Sequence, residues 1–339
     1  MNFVPALFVR DVLRLLPTPD YEKLSLLSQK GTFSRLATKW VEKWFRCYIL
    51  LTHNAGSKKF EYCQLRSNAP LDEVPYDLSI LEDFVLDKSN IAYMHEYVVK
   101  ILPQKPLNGK RELIWISADA HDQKLRSHMN AIRVAPSAAL VVNNPVEVED
   151  FDPTVFFKLF PRNCYFNDIL TDDFYHDSIH VLINASVETG KVSYVTCNQW
   201  VQKCTMKFLL KLFRQKQFTG ILWPEDSEKK PFARKLTKKW LRDVDAFTKE
   251  KSLYSVKPLF GFEKFPFRRL AKMPDSVLQK SAIHELYAPQ EQAFFQMRHP
   301  EKRDRKIVLH LGARAQDFSE VSSFREALEM HTWFDLYIQ

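Results

Sequence analysis

Glycine is scarce and long apolar runs are missing, and both shortages restrict what this sequence can encode. Glycine accounts for 7 of the 339 residues, which argues against glycine-rich loops that hold phosphates. No stretch approaches the roughly 18 uncharged apolar residues of a membrane-spanning helix. Arg10, Asp11 and Arg14 interrupt the apolar N-terminus, so it does not resemble a signal peptide. We therefore expect a cytoplasmic or nuclear protein with no membrane partner.

Cysteine is also sparse, and its spacing favours free thiols. The cysteines are odd in number and form no CxxC pair, so neither a zinc knuckle nor a thioredoxin-like motif is indicated. The five are Cys47, Cys63, Cys164, Cys197 and Cys204. Reduced thiols in an intracellular compartment are the expected state.

Catalytic motifs are missing as well. The sequence contains no GxSxG, HExxH, Walker A or GxGxxG pattern. His176 and His180 are four residues apart, but the surrounding pattern predicts a strand, in which they would lie about 13 Å apart. The turn at 312–315 lacks the other glycines of a phosphate loop. We expect no catalytic residue, no metal and no cofactor, and hence a protein that is not an enzyme.

The first 45 residues carry apolar side chains at helical spacing, divided by signals that end and start helices. Pro17 ends a first helix, because proline disfavours helical geometry in the residue before it. Thr18 caps a second helix, with Pro19 at its first position and Asp20 near its positive end. Gly31 ends that helix, and a third amphipathic helix follows. Three short helices are predicted, with more apolar surface than so small a module can bury alone.

This pattern resembles an F-box, a motif with an apolar–proline pair, a Leu-Pro step, an acidic residue and spaced leucines. The residues that carry the resemblance are Val4, Pro5, Leu16, Pro17, Asp20, Leu24, Leu27, Ser28, Phe33 and Ala37. The resemblance implies docking on a Skp-type adaptor, which would link the chain to a cullin scaffold. The residues implied to contact the adaptor are Val4, Pro5, Leu7, Phe8, Val12, Leu15, Leu16, Pro17, Leu24 and Leu27. The alternative is that these helices pack on the rest of the same chain.

Beyond residue 45 the pattern predicts strands interspersed with amphipathic helices. A hairpin is predicted at 47–51 and 60–65, and further strands at 112–117, 138–143, 179–185, 192–196, 218–224, 307–311 and 333–338. Helices are predicted at 200–214, 231–249 and 319–329. The expected fold class is α+β, with a three-helix F-box-like module at 1–45 followed by a mixed α/β domain at 46–339, divisible near 103–109. This layout resembles the nematode-expanded F-box families, in which a family-specific α/β domain follows the F-box.

The net charge of +8 is concentrated in one segment. Between Val201 and Lys280 there are 20 Lys and Arg against 8 Asp and Glu. Phe232, Leu236 and Trp240 fall on one side of the helix predicted there, so we expect them to be buried while the neighbouring lysines are in solvent. The candidate basic residues are Lys229, Lys230, Arg234, Lys235, Lys238, Lys239, Arg268 and Arg269.

Two functions fit these observations. The first is a non-catalytic substrate-recognition subunit of a cullin-type (SCF) E3 ubiquitin ligase, which docks on the adaptor through its N-terminal helices. Its C-terminal domain would bind a protein target, and the basic residues would attract an acidic one. The alternative is a single-stranded nucleic-acid-binding protein that uses the basic segment 229–272, through counterion release and base stacking.

Overall fold

The computed structural model describes the chain in two compact units, Met1–Asn167 and Asp168–Gln339. The described residues are 38, 43–54, 56–67, 81–84, 86, 94–105, 113–142, 154–161, 166–171, 188–197, 209–222, 232–247, 250–255, 259, 261–272, 274, 291–313, 318, 321 and 323–339. All ten predicted adaptor-binding residues lie outside them, as do His176 and His180. The predicted three-helix module at 1–45 is likewise outside them, apart from residue 38 and residues 43–45.

The first unit contains a mixed sheet. Its elements are β1 Phe45–Asn54, β2 Lys59–Ser67, β3 Glu82–Asp83, β4 Met94–Ile101, β5 Ile116–Ala118, α1 Gln123–Asn130, β6 Ser137–Val142 and α2 Thr154–Phe157. The strand order is β6–β4–β1–β2–β3, and β5 pairs with β2 farther along the same edge. β6, β4 and β1 are parallel, whereas β2 is antiparallel to β1. The hairpin predicted at 47–65 is confirmed as β1 and β2.

Strand β1 is buried on both faces because it lies in the middle of this sheet. One face carries Tyr48 and Leu50 in an apolar cluster with Leu65 of β2. The other face is covered by α1, where the His128 ring lies 5.6 Å from the ring of Tyr62. A strand covered on both sides has a continuous apolar sequence rather than an alternating one. This explains the unbroken apolar run in β1.

The second unit also contains a mixed sheet. Its elements are β7 Asp168–Thr171, β8 Tyr194–Cys197, β9 Gly220–Leu222, α3 Phe232–Arg242, β10 Lys251–Ser255, β11 Arg268–Leu270, β12 Gln292–Arg298, β13 Lys306–Gly312, α4 Phe324–Met330 and β14 Trp333–Ile338. The strand order is β7–β8–β9–β10–β14–β13–β12–β11. Strands β7 to β10 are parallel. The remaining pairs are antiparallel.

The two faces of this second sheet differ in composition. Register places Leu253, Leu309 and Leu336 in one row across β10, β14 and β13, and Tyr254, His310 and Asp335 in the next. Because successive residues of a strand point to opposite faces, these rows define a leucine face and a histidine face. Helix α4 packs on the leucine face, since the Phe324 ring lies 4.8 Å from the ring of Phe295, which is opposite Leu309.

The expected helix-led α+β fold class is wrong. Fourteen strands make up most of the regular structure in the described part of the chain, and α1 to α4 hold 8, 4, 11 and 7 residues. Helix α3 ends at Arg242 rather than 249, and a 3-10 turn follows at Val244–Ala246. Strands β4 and β12 were missed because polar residues such as Glu96 and Gln296 interrupt their apolar pattern.

Gly312 illustrates how tightly the antiparallel strands pack. It lies opposite Trp333, and a Cβ atom built on it would be only 1.9 Å from Trp333 Cζ2. The Trp333 indole is 2 % exposed and lies edge-on to the His310 ring at 4.7 Å. Gly312, the first residue of the turn at 312–315, therefore makes room for a buried indole.

We expect Gly312→Ala to lower the free energy of unfolding by about 2–3 kcal/mol, because the added methyl group must displace a packed ring. Chemical denaturation monitored by tryptophan fluorescence measures this change. Gly56→Ala is the matched control, since a Cβ atom built on Gly56 would lie 3.4 Å from its nearest neighbour, Asn54 Oδ1. That is an ordinary van der Waals distance. Equal stability of the two variants would contradict the packing argument.

Candidate target-binding surface

Helix α3 carries four of the eight basic residues that the sequence singles out. Its apolar side is buried, as predicted: the buried residues are Phe232, Ala233, Leu236, Thr237 and Trp240. The hydroxyl of Thr237 donates to the carbonyl of Ala233 at 2.9 Å, so this polar group is satisfied within the helix. Lys235, Lys238 and Arg242 are exposed, and Lys239 is half-buried. We call these four cations the α3 basic surface. Lys229 and Lys230 lie outside the described residues.

His299, just after β12, anchors the C-terminal end of α3. Its Nδ1 accepts from the backbone N–H groups of Glu301 and Lys302, at 3.3 and 3.2 Å. Nδ1 therefore carries no proton, and Nε2 donates to the carbonyl of Leu241 at 3.2 Å. This bond satisfies one of the carbonyls left unpaired at the end of a helix. The ring also lies edge-on to Trp240 at 5.0 Å. These contacts thus fix the position of the C-terminal end of the helix that carries the α3 basic surface.

Most of the α3 basic surface is not neutralised by acidic side chains nearby. Asp243, just after the helix, pairs with Arg214, and Asp245 pairs with Lys302. Within the part of the chain that the structure describes, Lys238, Lys239 and Arg242 make no ion pair. These cations are consequently available to an acidic partner.

Two of the predicted basic residues have structural contacts instead. Arg234 lies over Gly261, where an added Cβ would be 2.9 Å from the guanidinium Nη1. Arg269 donates to the backbone carbonyls of Phe318, at 2.6 Å, and Val321. The Arg269 guanidinium thus holds the backbone at Phe318 and Val321, and the Arg234 guanidinium covers Gly261.

Arg268 is separated from α3 by the sheet. It is opposite Gln296 on the histidine face, whereas α3 packs on the leucine face. Lys251 is on the leucine face, in register with Ile338, and its ammonium group donates to the carbonyls of Gln215, at 2.7 Å, and Phe218. The helical segment 209–213, which precedes these two residues, contacts α3, because the Phe213 ring lies 5.7 Å from that of Phe232. Arg268 is therefore on a different face of the sheet from Lys235, Lys238 and Lys239.

A polar cluster in the first unit was missed by sequence reasoning. The Gln64 amide nitrogen donates to Cys47 Sγ at 3.6 Å and lies 3.3 Å from His128 Nδ1, while its oxygen accepts from the Leu86 N–H at 3.0 Å. Burial raises the pKa of the Cys47 thiol well above its usual value, so this thiol is a poor nucleophile. Burial also lowers the pKa of His128. The cluster serves hydrogen bonding rather than covalent chemistry.

Cys47 and Cys63 are both buried. They lie on adjacent strands, but on opposite faces of the sheet, because Cys47 is opposite Arg66 and Cys63 is opposite Leu50. The reduced state expected from cysteine spacing stays a prediction for all five cysteines.

A buried ion pair joins the starts of two parallel strands in the first unit. Arg46 of β1 and Glu96 of β4 are register partners and form a salt bridge, and Arg46 also donates to the Tyr48 hydroxyl at 3.1 Å. His95 is next to this pair and lies edge-on to Trp44 at 5.8 Å. Burial and the neighbouring Arg46 charge together lower the pKa of His95 to about 4.

The comparisons provide no relative for this chain: no family model, no curated protein and no solved structure matches it. No group of three metal-ligating side chains occurs among the described residues. Within the same residues, no helix is long and apolar enough to cross a membrane.

The neutral state of His95 makes the first unit sensitive to acid. The unfolded chain takes up the His95 proton near pH 6.5, whereas the folded chain does so near pH 4. Stability should therefore be unaffected above pH 7 and fall between pH 6.5 and 4, by on the order of 2 kcal/mol from this residue. Urea denaturation at pH 7.5 and 4.5 measures the loss. The variant His95→Gln should lose less stability over the same interval, and an unchanged loss would refute the assignment.

Proposed function

We propose that this protein is a non-catalytic substrate-recognition subunit of a cullin-type ubiquitin ligase. Residues 1–45 would dock on a Skp-type adaptor, and the second unit would bind an acidic protein target through the α3 basic surface. Cytoplasmic or nuclear localisation is part of this proposal. Such a subunit accelerates no reaction itself but raises the effective concentration of its target near the ligase.

The target-binding half of the proposal rests on the amphipathic character of α3. Its apolar side is fixed in the core, with Trp240 and Leu236 fully buried, while Lys238 and Arg242 are one helical turn apart and exposed. A rigid helix presents these charges without the entropy cost of ordering a loop. Complementary charge increases the association rate and selects acidic partners.

The adaptor-binding half is supported by the sequence pattern of the first 45 residues. The order of helix-ending and helix-starting residues, from Pro17 through Thr18 to Gly31, agrees with the spacing of the apolar residues. An apolar surface larger than its own module can bury is typical of an interaction site.

The competing hypothesis, single-stranded nucleic-acid binding, has less support. Base stacking requires exposed aromatic rings beside the cations. The rings interleaved with the lysines of α3 belong to Phe232 and Trp240, and these are 2 % and 0 % exposed. Phe267, which precedes Arg268 in the same basic segment, is also buried, and its ring packs 5.1 Å from the Phe324 ring. The basic segment therefore offers charge without stacking surfaces at these positions.

Co-expression with a Skp-type adaptor tests the adaptor-binding half. We expect the wild-type chain to co-purify with the adaptor in stoichiometric amount. The double variant Leu16→Ala, Pro17→Ala should lose this binding, because it removes an apolar contact and the end of the first helix. Lys238→Gln is the control, which should keep adaptor binding. Thermal unfolding of all three proteins separates a lost contact from a lost fold. A wild-type chain that binds no adaptor would overturn this half of the proposal.

Polyglutamate is the probe for the α3 basic surface. We expect it to bind the full-length chain with an affinity that falls as salt rises, and about 10-fold more weakly after Lys238→Glu and Arg242→Glu. Lys264→Glu, which reverses an exposed charge outside α3, is the matched control and should have little effect. Fluorescence anisotropy measures each affinity.

An oligothymidylate run in parallel decides between the two functions. Binding that persists at physiological salt, and is lost when Lys235, Lys238 and Lys239 are changed to glutamine, would favour the nucleic-acid hypothesis. Equal weakening of polyglutamate binding by the α3 variants and the Lys264 control would show that α3 has no special role.

A further inference from the structure

Three cations meet at one corner of the histidine face, where strands β11, β12 and β13 lie side by side. Arg298 of β12 is directly opposite Lys306 of β13. Arg268 of β11 is opposite Gln296, two residues before Arg298 on the same strand. Because side chains two residues apart share a face, all three cations point to the same side of the sheet. We call this set the corner site.

Register sets the spacing of these cations. Directly opposite side chains have Cβ atoms about 4.5–5.5 Å apart, and diagonal neighbours are about 7–8 Å apart. Arg298 and Lys306 are therefore close enough to repel each other, and Arg268 is diagonal to Arg298. Like charges directly opposite each other destabilise a sheet, so this arrangement needs a reason other than folding.

No carboxylate in the described part of the chain forms an ion pair with the corner site. Arg268, Arg298 and Lys306 make no ion pair there. The acidic residue in the same row is Glu250, which is separated from Lys306 by β14 and accepts from the Gln339 amide at 3.5 Å. Asp335 farther along this face accepts from the Tyr337 hydroxyl at 3.1 Å.

The surroundings of the corner site are polar and open to solvent. Arg268 and Arg298 are exposed, and Lys306 and Gln296 are half-buried. The exposed fraction falls along the face toward β14, where Tyr337 is 6 % exposed. A ligand can therefore reach the cations from solvent, and the Gln296 amide provides a neutral donor between them.

We propose that the corner site binds a ligand carrying two linked phosphates. Arg298 and Lys306 would hold one phosphate and Arg268 the other. The guanidinium group donates two parallel hydrogen bonds to a phosphate, and the ammonium group adds a compact charge. A bound polyanion also offsets the repulsion between Arg298 and Lys306. This site is distinct from the α3 basic surface, which belongs to the other side of the sheet.

Titration of the full-length chain with inorganic pyrophosphate at low ionic strength, followed by calorimetry, tests the proposal. Each of Arg268→Gln, Arg298→Gln and Lys306→Gln should weaken binding about 10-fold, which is the loss of one charge-assisted hydrogen-bonded contact. The double variant Lys124→Gln, Arg133→Gln removes two exposed cations of the first unit and should change the affinity less than 2-fold (about 0.4 kcal/mol).

The stability of the same variants separates binding from folding. Without pyrophosphate, Arg298→Gln and Lys306→Gln should unfold at the same temperature as the wild type or higher, because each removes a like-charge contact. A clear fall in the unfolding temperature would mean that these cations are structural and would overturn the proposal. So would undetectable pyrophosphate binding, equal weakening by the Lys124, Arg133 control, or citrate binding as tightly as pyrophosphate.

Discussion

The alternation of side chains along each strand is the constraint on which the rest of this structure depends. It places Arg268 and Arg269, adjacent in sequence, on opposite faces of the second sheet. Arg269 then contacts backbone carbonyls. Arg268 lies on the same face as Arg298 and Lys306, diagonal to Arg298. A single basic segment of sequence thus becomes two surfaces with different neighbours. Charge clustering along a chain consequently says little about charge clustering in space.

Strand limits could be predicted where apolar residues make up most of the strand. The limits predicted for β14 agree with Trp333–Ile338, and β13 was placed to within one residue. Strand β4 was missed, although it lies between β1 and β6. Its sequence includes Glu96, whose charge is buried only because Arg46 is its register partner. A single sequence does not reveal such pairing, since the partner is distant along the chain.

Some features of the candidate sites could likewise be predicted from the sequence, and others could not. The buried side of α3 follows from the helical spacing of Phe232, Leu236 and Trp240. Arg242, one turn beyond Lys238, was missed because it lies outside the dense cluster of cations at 229–239. The corner site could not have been found without register, because its three cations come from three strands. His299 gave no sequence signal either, since its role depends on a helix end brought to it by folding.

The position of β14 has a consequence for the order of folding. This strand lies between β10 and β13, so Ile338 is the register partner of Lys251 on one side and of Ile307 on the other. Strand β14 therefore joins the parallel and antiparallel halves of this sheet. Before it pairs, β10 and β13 would each present an open edge, and such edges invite pairing with other chains. The second sheet is thus continuous only when Trp333–Ile338 has paired on both sides.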